Sequence, residues 1–252
     1  MMDIKRKIYL KYRWIFHRIK ERQGKVYGIE DYKQIPIIIN SFNQLSYLKS
    51  LISRLSEMGY NNIHILDNAS TYPPLLEFYE QTEYPVYKLG ENLGYKALWM
   101  SNIFDKFKHN YYVYTDPDVI PVEECPDDFL KYFMEIMMRF PKAQKVGFSL
   151  RINDIPDFNI NKNKIIKWEK NWWERKIGEG LYDAQIDTTF ALYRPFAFGE
   201  ANFVELNIRT DFPYQAAHLP WYLDPDNLPE EQRFYLDNLS KSTHWSKQVN
   251  NK

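Results

Sequence analysis

Apolar residues in this chain fall into short β-branched runs separated by stretches of helical spacing. Ile35-Pro36-Ile37-Ile38-Ile39 is the first run and predicts a buried strand. Leu45, Leu48, Leu51, Ile52 and Leu55 follow at steps of three and four. Residues 44–58 therefore predict an amphipathic helix, which Gly59 ends. Residues 63–66 predict a second strand, Asp67-Asn68-Ala69-Ser70-Thr71 a polar turn, and Pro73-Pro74 the opening of another helix. Strands are predicted again at 84–89, 111–115, 145–152 and 188–194, and helices at 92–106 and 127–139. Strands alternating with helices predict an α/β domain on a doubly wound, mostly parallel sheet with helices on both faces. Residues 153–183 carry no clear period and hold Trp168, Trp172, Trp173 and Tyr182, which predicts an excursion over the functional face.

Composition narrows the class. The 252 residues are 44% hydrophobic and 26% charged, which fits one soluble domain with a sizeable core and excludes general disorder. Aromatics reach 17%, enough to fill a core and also to supply surfaces that stack on sugar or base rings. The single cysteine, Cys125, excludes an intrachain disulfide and a Cys-rich zinc site, and is compatible with a reducing compartment. No apolar run reaches the length of a membrane span, and the first residues are too charged for a signal peptide. A cytoplasmic protein is expected.

The net charge of +0 is unevenly spread. Residues 1–22 hold eight Lys/Arg and two acids, against 25 and 31 in the remainder. In this basic segment Ile4, Ile8, Tyr12, Ile15 and Ile19 form a helical stripe. Two readings stay open: a helix lying peripherally on an anionic membrane surface, or one packed on the domain with a solvated basic face. The expected division is a basic extension with its linker over 1–34 and one catalytic domain over 35–252. Outside the extension the charge is negative, so a nucleic-acid partner is not expected.

The segment with most chemistry is Tyr111-Tyr112-Val113-Tyr114-Thr115-Asp116-Pro117-Asp118-Val119. A strand-like run delivers two carboxylates to the carboxyl end of the sheet, where open α/β sheets bind ligands. Hard oxygen ligands of this kind suit Mg²⁺ or Mn²⁺, and such an ion carries a diphosphate. The bare Asp-x-Asp triplet is weak, and the chain holds a second copy, Asp224-Pro225-Asp226, which lacks a preceding strand and reads as a turn.

Position by position, the strand ends resemble the GT-A (Rossmann-like) fold of nucleotide-sugar glycosyltransferases, family 2 most closely. The likeness spans roughly residues 36–245. It rests on Asn40-Ser41-Phe42-Asn43, Asp67-Asn68, Asn92-Leu93-Gly94-Tyr95-Lys96 and the Asp116/Asp118 pair. The resemblance implies that Ser41, Asn43, Asp67, Asn68, Asn92, Gly94, Lys96 and Asp116 serve the donor, most often a UDP-sugar. It also implies that Asp116, Asp118 and a late histidine, His218, hold Mn²⁺ or Mg²⁺. Arg209 is a candidate to balance phosphate charge. A lone histidine is more often structural, and the two readings of His218 carry equal weight.

Sugar transfer requires a carboxylate base on the acceptor side when the anomeric centre inverts. The acids available are Asp154, Asp157, Glu169, Glu174, Asp187 and Glu200. Asp187 resembles the acceptor-contacting acid of inverting glucuronyltransferases and is the first choice, with Asp154 second. Asp157, Trp173 and Trp221 are expected on the acceptor side, with a growing glycan or a lipid-linked saccharide as acceptor. The Glu-Asp pair that many family 2 enzymes carry is not evident, which keeps a retaining mechanism open. Two rivals remain: a non-catalytic carbohydrate-binding protein, and a nucleotidyltransferase, which lacks its Gly-rich basic loop here.

Overall fold

The structure, a computed structural model, describes residues 4–21, 27–186, 190–199 and 205–239. In chain order the elements are α1 (Ile4–Glu21), β1 (Ile37–Ser41), α2 (Leu45–Glu57), β2 (Ile63–Asp67), α3 (Pro73–Gln81), β3 (Val86–Lys88), α4 (Ala97–Met100), α5 (Phe104–Phe107), β4 (Tyr112–Thr115), β5 (Val119–Pro121), α6 (Phe129–Arg139), β6 (Ala143–Gly147), β7 (Ser149–Leu150), α7 (Lys162–Lys170), β8 (Lys176–Gly178), β9 (Leu181–Asp183), β10 (Ala191–Tyr193), β11 (Leu206–Thr210), β12 (Gln215–His218) and α8 (Glu230–Asp237).

Nine strands form a central sheet in the order β3-β2-β1-β4-β10-β6-β11-β9-β8. Ile37 of β1 sits beside Ile63 of β2 and Val113 of β4, all parallel. β10 runs antiparallel to both β4 and β6, and β9 antiparallel to both β11 and β8, so the other seven strands share one direction. The carboxyl ends of β1, β2 and β4 thus meet along one edge. A small sheet, β5-β12-β7, stands beside it.

Residues on the two pleats of β1 enter different cores. Ile37 and Ile39 pack with Leu48, Leu51 and Leu55 of α2 and with Phe129 and Phe133 of α6. Ile38 packs with Leu66, Tyr112 and Tyr114, and with the helical residues Ala97, Leu98, Phe104 and Phe107. Burial on both faces is why the first strand reads as a continuous Ile run instead of an alternation. It also makes the sheet doubly wound, as the pattern predicts.

Four elements differ from expectation. The single helix over 92–106 is instead a 3₁₀ turn, Gly94–Lys96, followed by two short helices. Gly94 has φ +69, outside helical geometry, and the Ser101 hydroxyl bonds back to the Leu98 carbonyl at 3.1 Å where α4 stops. The excursion over 153–183 carries α7 and the β8–β9 hairpin, which extends the main sheet through β11. The single strand expected over 145–152 is split between β6 in the main sheet and β7 in the small one. The sixth expected strand is shorter, Ala191–Tyr193, and residues 188–189 lie outside the described residues. Asp224-Pro225-Asp226 is a turn: the Asp224 carbonyl accepts from Asn227 N–H at 3.1 Å and its carboxylate from Asp226 N–H at 2.9 Å.

β6 and β10 approach closely at Gly147. A Cβ there would meet the Phe190 carbonyl oxygen at 2.6 Å and the Ala191 Cβ at 2.9 Å, both fixed by the sheet. Gly147→Ala is expected to destabilise the fold by about 1–3 kcal/mol, read from the midpoint of urea unfolding. An unchanged midpoint would mean that the strands can separate freely.

Candidate active site

β1 ends at Ser41 and β2 at Asp67, in register with each other, and β4 ends one residue before Asp116. Asn40 reaches across this edge. Its Nδ2 donates to Asp116 Oδ1 at 3.3 Å and stands 3.5 Å from the Gly94 carbonyl. Asn68 pins the same loop: Nδ2 donates to the Gly94 carbonyl at 3.1 Å, and Oδ1 accepts from Leu93 N–H at 2.7 Å. Asn92 Oδ1 accepts from Gly94 N–H at 2.9 Å, closing a turn whose left-handed φ favours glycine. The predicted donor loop therefore folds beside Asp116. Lys96 is half-buried there, its Nζ 5.6 Å from the Tyr95 ring centre.

Ser41, Asn43 and Asp67 form a supporting layer. Ser41 and Asn43 have no exposed surface and Asp67 is 4% exposed. The Tyr79 hydroxyl stands 2.9 Å from Ser41 Oγ and 3.3 Å from Asp67 Oδ1, which also accepts from Ser70 N–H. Asn43 Oδ1 accepts from Thr71 and Tyr72 N–H at 2.7 and 2.9 Å, and Asn43 holds φ +53, a conformation asparagine tolerates. Direct donor contact by Ser41 or Asn43 does not match this burial; both brace the two strand ends.

The small sheet supplies the third part. Its antiparallel register sets His218 of β12 opposite Val119 of β5, and the Asp118 carbonyl accepts from Leu219 N–H at 2.9 Å. His218 Nε2 then lies 3.6 Å from Asp118 Oδ2, with both side chains largely buried. Burial pushes the Asp118 carboxyl up to about 7, and a backbone hydrogen bond opposes the shift. The phenols of Tyr47 and Tyr235 are pushed up, first by burial and then by the charge of Asp118, so both stay protonated beside it. The buried Tyr47 hydroxyl has no partner among the described residues.

Tyr47 and Tyr235 carry no sequence signal for a site, and Asn40 is legible only as part of the first strand end. Tyr47 sits on the core face of α2 like any packed aromatic, and Tyr235 lies 117 positions beyond Asp118 in chain order. α8 is brought in by Glu231, which accepts from Ser46 N–H at 3.0–3.1 Å and from its hydroxyl at 3.0 Å. That carboxylate satisfies donors that the first turn of α2 leaves open.

The expected metal triad is not preassembled. Among the described residues, no three His, Cys, Asp or Glu side chains converge closely enough to hold an ion. Asp118 faces His218, whereas Asp116 turns to Asn40. A buried carboxylate with a raised pKa does fit a cation, and oxygen and imidazole donors suit Mn²⁺ or Mg²⁺ if ligand oxygens complete the shell.

Other expected residues separate clearly. Trp221 is 3% exposed and its ring packs edge-on against His218 at 4.9 Å, so it does not offer a face to a sugar. Asp154 accepts from the Tyr222 hydroxyl at 2.6 Å and stands 3.5 Å from an Arg151 nitrogen, at the rim beside the His218 turn. The Asp157 side chain is 98% exposed and pairs with Lys162 at 2.7 Å, a solvated surface acid. Glu174 is exposed and Trp173 half-buried. Arg209, expected near phosphate, is fully buried against Glu169 at 2.6 Å, which removes both residues from the site. Asp187 and Glu200 lie outside the described residues.

His218→Ala should weaken Mn²⁺-dependent binding of a nucleoside diphosphate by roughly 10–100-fold if the imidazole ligates or orients the ion. Calorimetric titration with and without Mn²⁺ checks this, and equal affinities would leave His218 a packing residue.

No protein-family model matches the chain, and no curated protein sequence does. Among solved structures it is similar to a mannosyltransferase from Pyrobaculum calidifontis, determined with GDP-Man and Mn²⁺. Identity is 12%, the match covers 93% of this chain and 69% of that one, and the TM-score is 0.48.

Proposed function

We propose that this chain is a metal-dependent glycosyltransferase that moves a sugar from a nucleotide-diphosphate donor to a hydroxyl of a glycan or lipid-linked saccharide. The observation that carries this reading is the edge where Asp116, Asp118 and His218 meet the Asn40–Asn68–Gly94 loop, with Asp118 buried and His218 at 3.6 Å. Among the described residues no lysine or arginine acts on Asp118, and a fold that buries a carboxylate in this way at such an edge is prepared for a cation.

In this reading Asp118 and His218 hold the ion, with Asp116 completing the set, and Asn68 and Asn40 keep the Gly94 loop against the donor. Bound Mn²⁺ or Mg²⁺ supplies a Lewis acid that neutralises the leaving diphosphate. The Tyr47 and Tyr235 hydroxyls, kept protonated, donate toward the same charge. The donor is a UDP-sugar by the family resemblance. Inversion is proposed, with the acceptor proton taken by Asp187 or by Asp154. The Tyr222 hydroxyl and Arg151 hold Asp154 in place.

The test is release of nucleoside diphosphate from a panel of UDP- and GDP-sugars with Mn²⁺, followed by anomeric analysis of the product. Turnover that requires the metal supports the proposal, and an inverted anomeric centre supports the base assignment. Binding of a sugar with no turnover of any donor would favour a carbohydrate-binding protein on this fold.

A further inference from the structure

The stripe of Ile4, Ile8, Tyr12, Ile15 and Ile19 does not face the domain. These side chains are 72%, 66%, 66%, 43% and 51% exposed. α1 is instead held by its other face. Arg6 donates to both Asp183 carboxylate oxygens at 2.9 and 2.8 Å and to the Glu205 carbonyl at 3.0 Å. Arg13 donates to Gln144 Oε1 at 3.0 Å, and Leu10 is 2% exposed. A helix normally buries its apolar stripe because that releases the most water-exposed surface. Here buried ion pairs fix the helix the other way round and leave an outward stripe about 22 Å long.

Exposed Lys5 borders that stripe on one side, and exposed Lys7, Lys11 and Arg18 border it on the other. From Ile4 to Lys20 the helix contains no acid. An identical face on a second copy would bring like charges together, and an acid-free rim selects an anionic partner. The described helices include none long and apolar enough to cross a membrane. We infer that α1 docks the protein on an anionic lipid surface, inserting the Ile and Tyr side chains between headgroups while the flanking Lys and Arg meet lipid phosphates.

The docking contacts also set an orientation. Gln144 is the second residue of β6, Glu205 precedes β11, and Asp183 ends the reversed strand β9, so all three lie at the edge opposite Asp116 and Asp118. The bilayer lies beneath the sheet and the candidate site faces away from it. Acceptor groups are then reached from the aqueous side, a consequence that rests on the proposed glycosyl transfer; the lipid docking itself does not.

The test is co-sedimentation of the full chain with phosphatidylglycerol and with phosphatidylcholine vesicles, alongside Ile8→Glu/Ile15→Glu. Both substituted positions are outward, so circular dichroism and melting of the variant should match the parent. Expected are pelleting with the anionic vesicles alone, reversal by salt, and at least a tenfold lower partition coefficient for the variant. Overturning results are a parent chain that stays in the supernatant, or a variant that pellets equally. A dimer in analytical ultracentrifugation, dissolved by the variant and not by lipid, would assign the stripe to a second copy instead. Nucleotide-sugar turnover is read separately, so either result stands whatever the chemistry.

Discussion

Asp118→Asn is expected to lower kcat/KM for the nucleotide sugar by on the order of 10³ or more while raising the melting temperature of the metal-free protein at pH 8. The first effect follows from removing a charged ligand from a Lewis-acid site, which supplies several kcal/mol to a transition state that builds charge on the leaving diphosphate. The second follows from burial. The folded Asp118 carboxyl titrates near 7, above the ordinary carboxylate range of about 4. The folded state therefore holds its proton more tightly than the unfolded state. The associated stability is fully present below about pH 4 and is lost as pH rises through about 7. Asparagine resembles the protonated acid and does not titrate. Wild type and variant should melt alike at about pH 3.5 and diverge at pH 8 by on the order of 2–4 kcal/mol. Mn²⁺ with UDP should restore the wild type at pH 8 and leave the variant unmoved, because the ionised form is the one that binds. Scanning calorimetry at both pH values reads all of this. A constant offset between the proteins would show that Asp118 is ionised without penalty.

What could be read from the chain was whatever lies close in sequence or fills both faces of a strand. β1, β2 and β4 announce themselves because parallel strands covered on both sides need unbroken Ile, Val and Tyr runs. Asp116 and Asp118 stand out because they follow such a run directly, whereas the same triplet at 224–226 does not and folds as a turn. Helix α1 shows the limit. Its period is correct, but its facing is set by Arg6 and Asp183, 177 residues apart, and no local pattern reports that pair. Whether Trp221 stacks on a sugar or packs is not legible in the chain because aromatic type does not encode burial; packing against His218 decides it. The pairing of β12 with β5 and β7, which delivers His218, involves strands too short to carry a period and is fixed by contacts across the whole domain. Asn40 was visible as a strand residue, but its hold on Asp116 depends on two parallel strands being neighbours.

Glu169→Ala is expected to be the most destabilising single change at a position outside the candidate site. Arg209 has 1% of its surface exposed and Glu169 has 4%, so neither charge can turn to water. The guanidinium Nη1 donates to Glu169 Oε2 at 2.6 Å, Nε donates to the Gln185 carbonyl at 2.6 Å, and the group lies 5.5 Å from the Trp172 ring centre. The pair joins the middle of β11 to α7, which otherwise offers the core only Ile165 as a fully packed apolar side chain. Removing the carboxylate leaves a buried cation with one carbonyl and a ring, a loss of about 3–5 kcal/mol. In a chain of this size that lowers the melting temperature by on the order of 10 °C. Replacing both partners by apolar residues of similar volume, Glu169→Leu with Arg209→Met, removes the unpaired charge and should recover most of the loss. The double-mutant cycle built from Glu169→Leu and Arg209→Met, singly and together, isolates the coupling from simple cavity formation. If the double variant melts as low as the two single losses added together, the ion pair contributes nothing of its own, and packing by the side-chain stems holds α7 to the sheet.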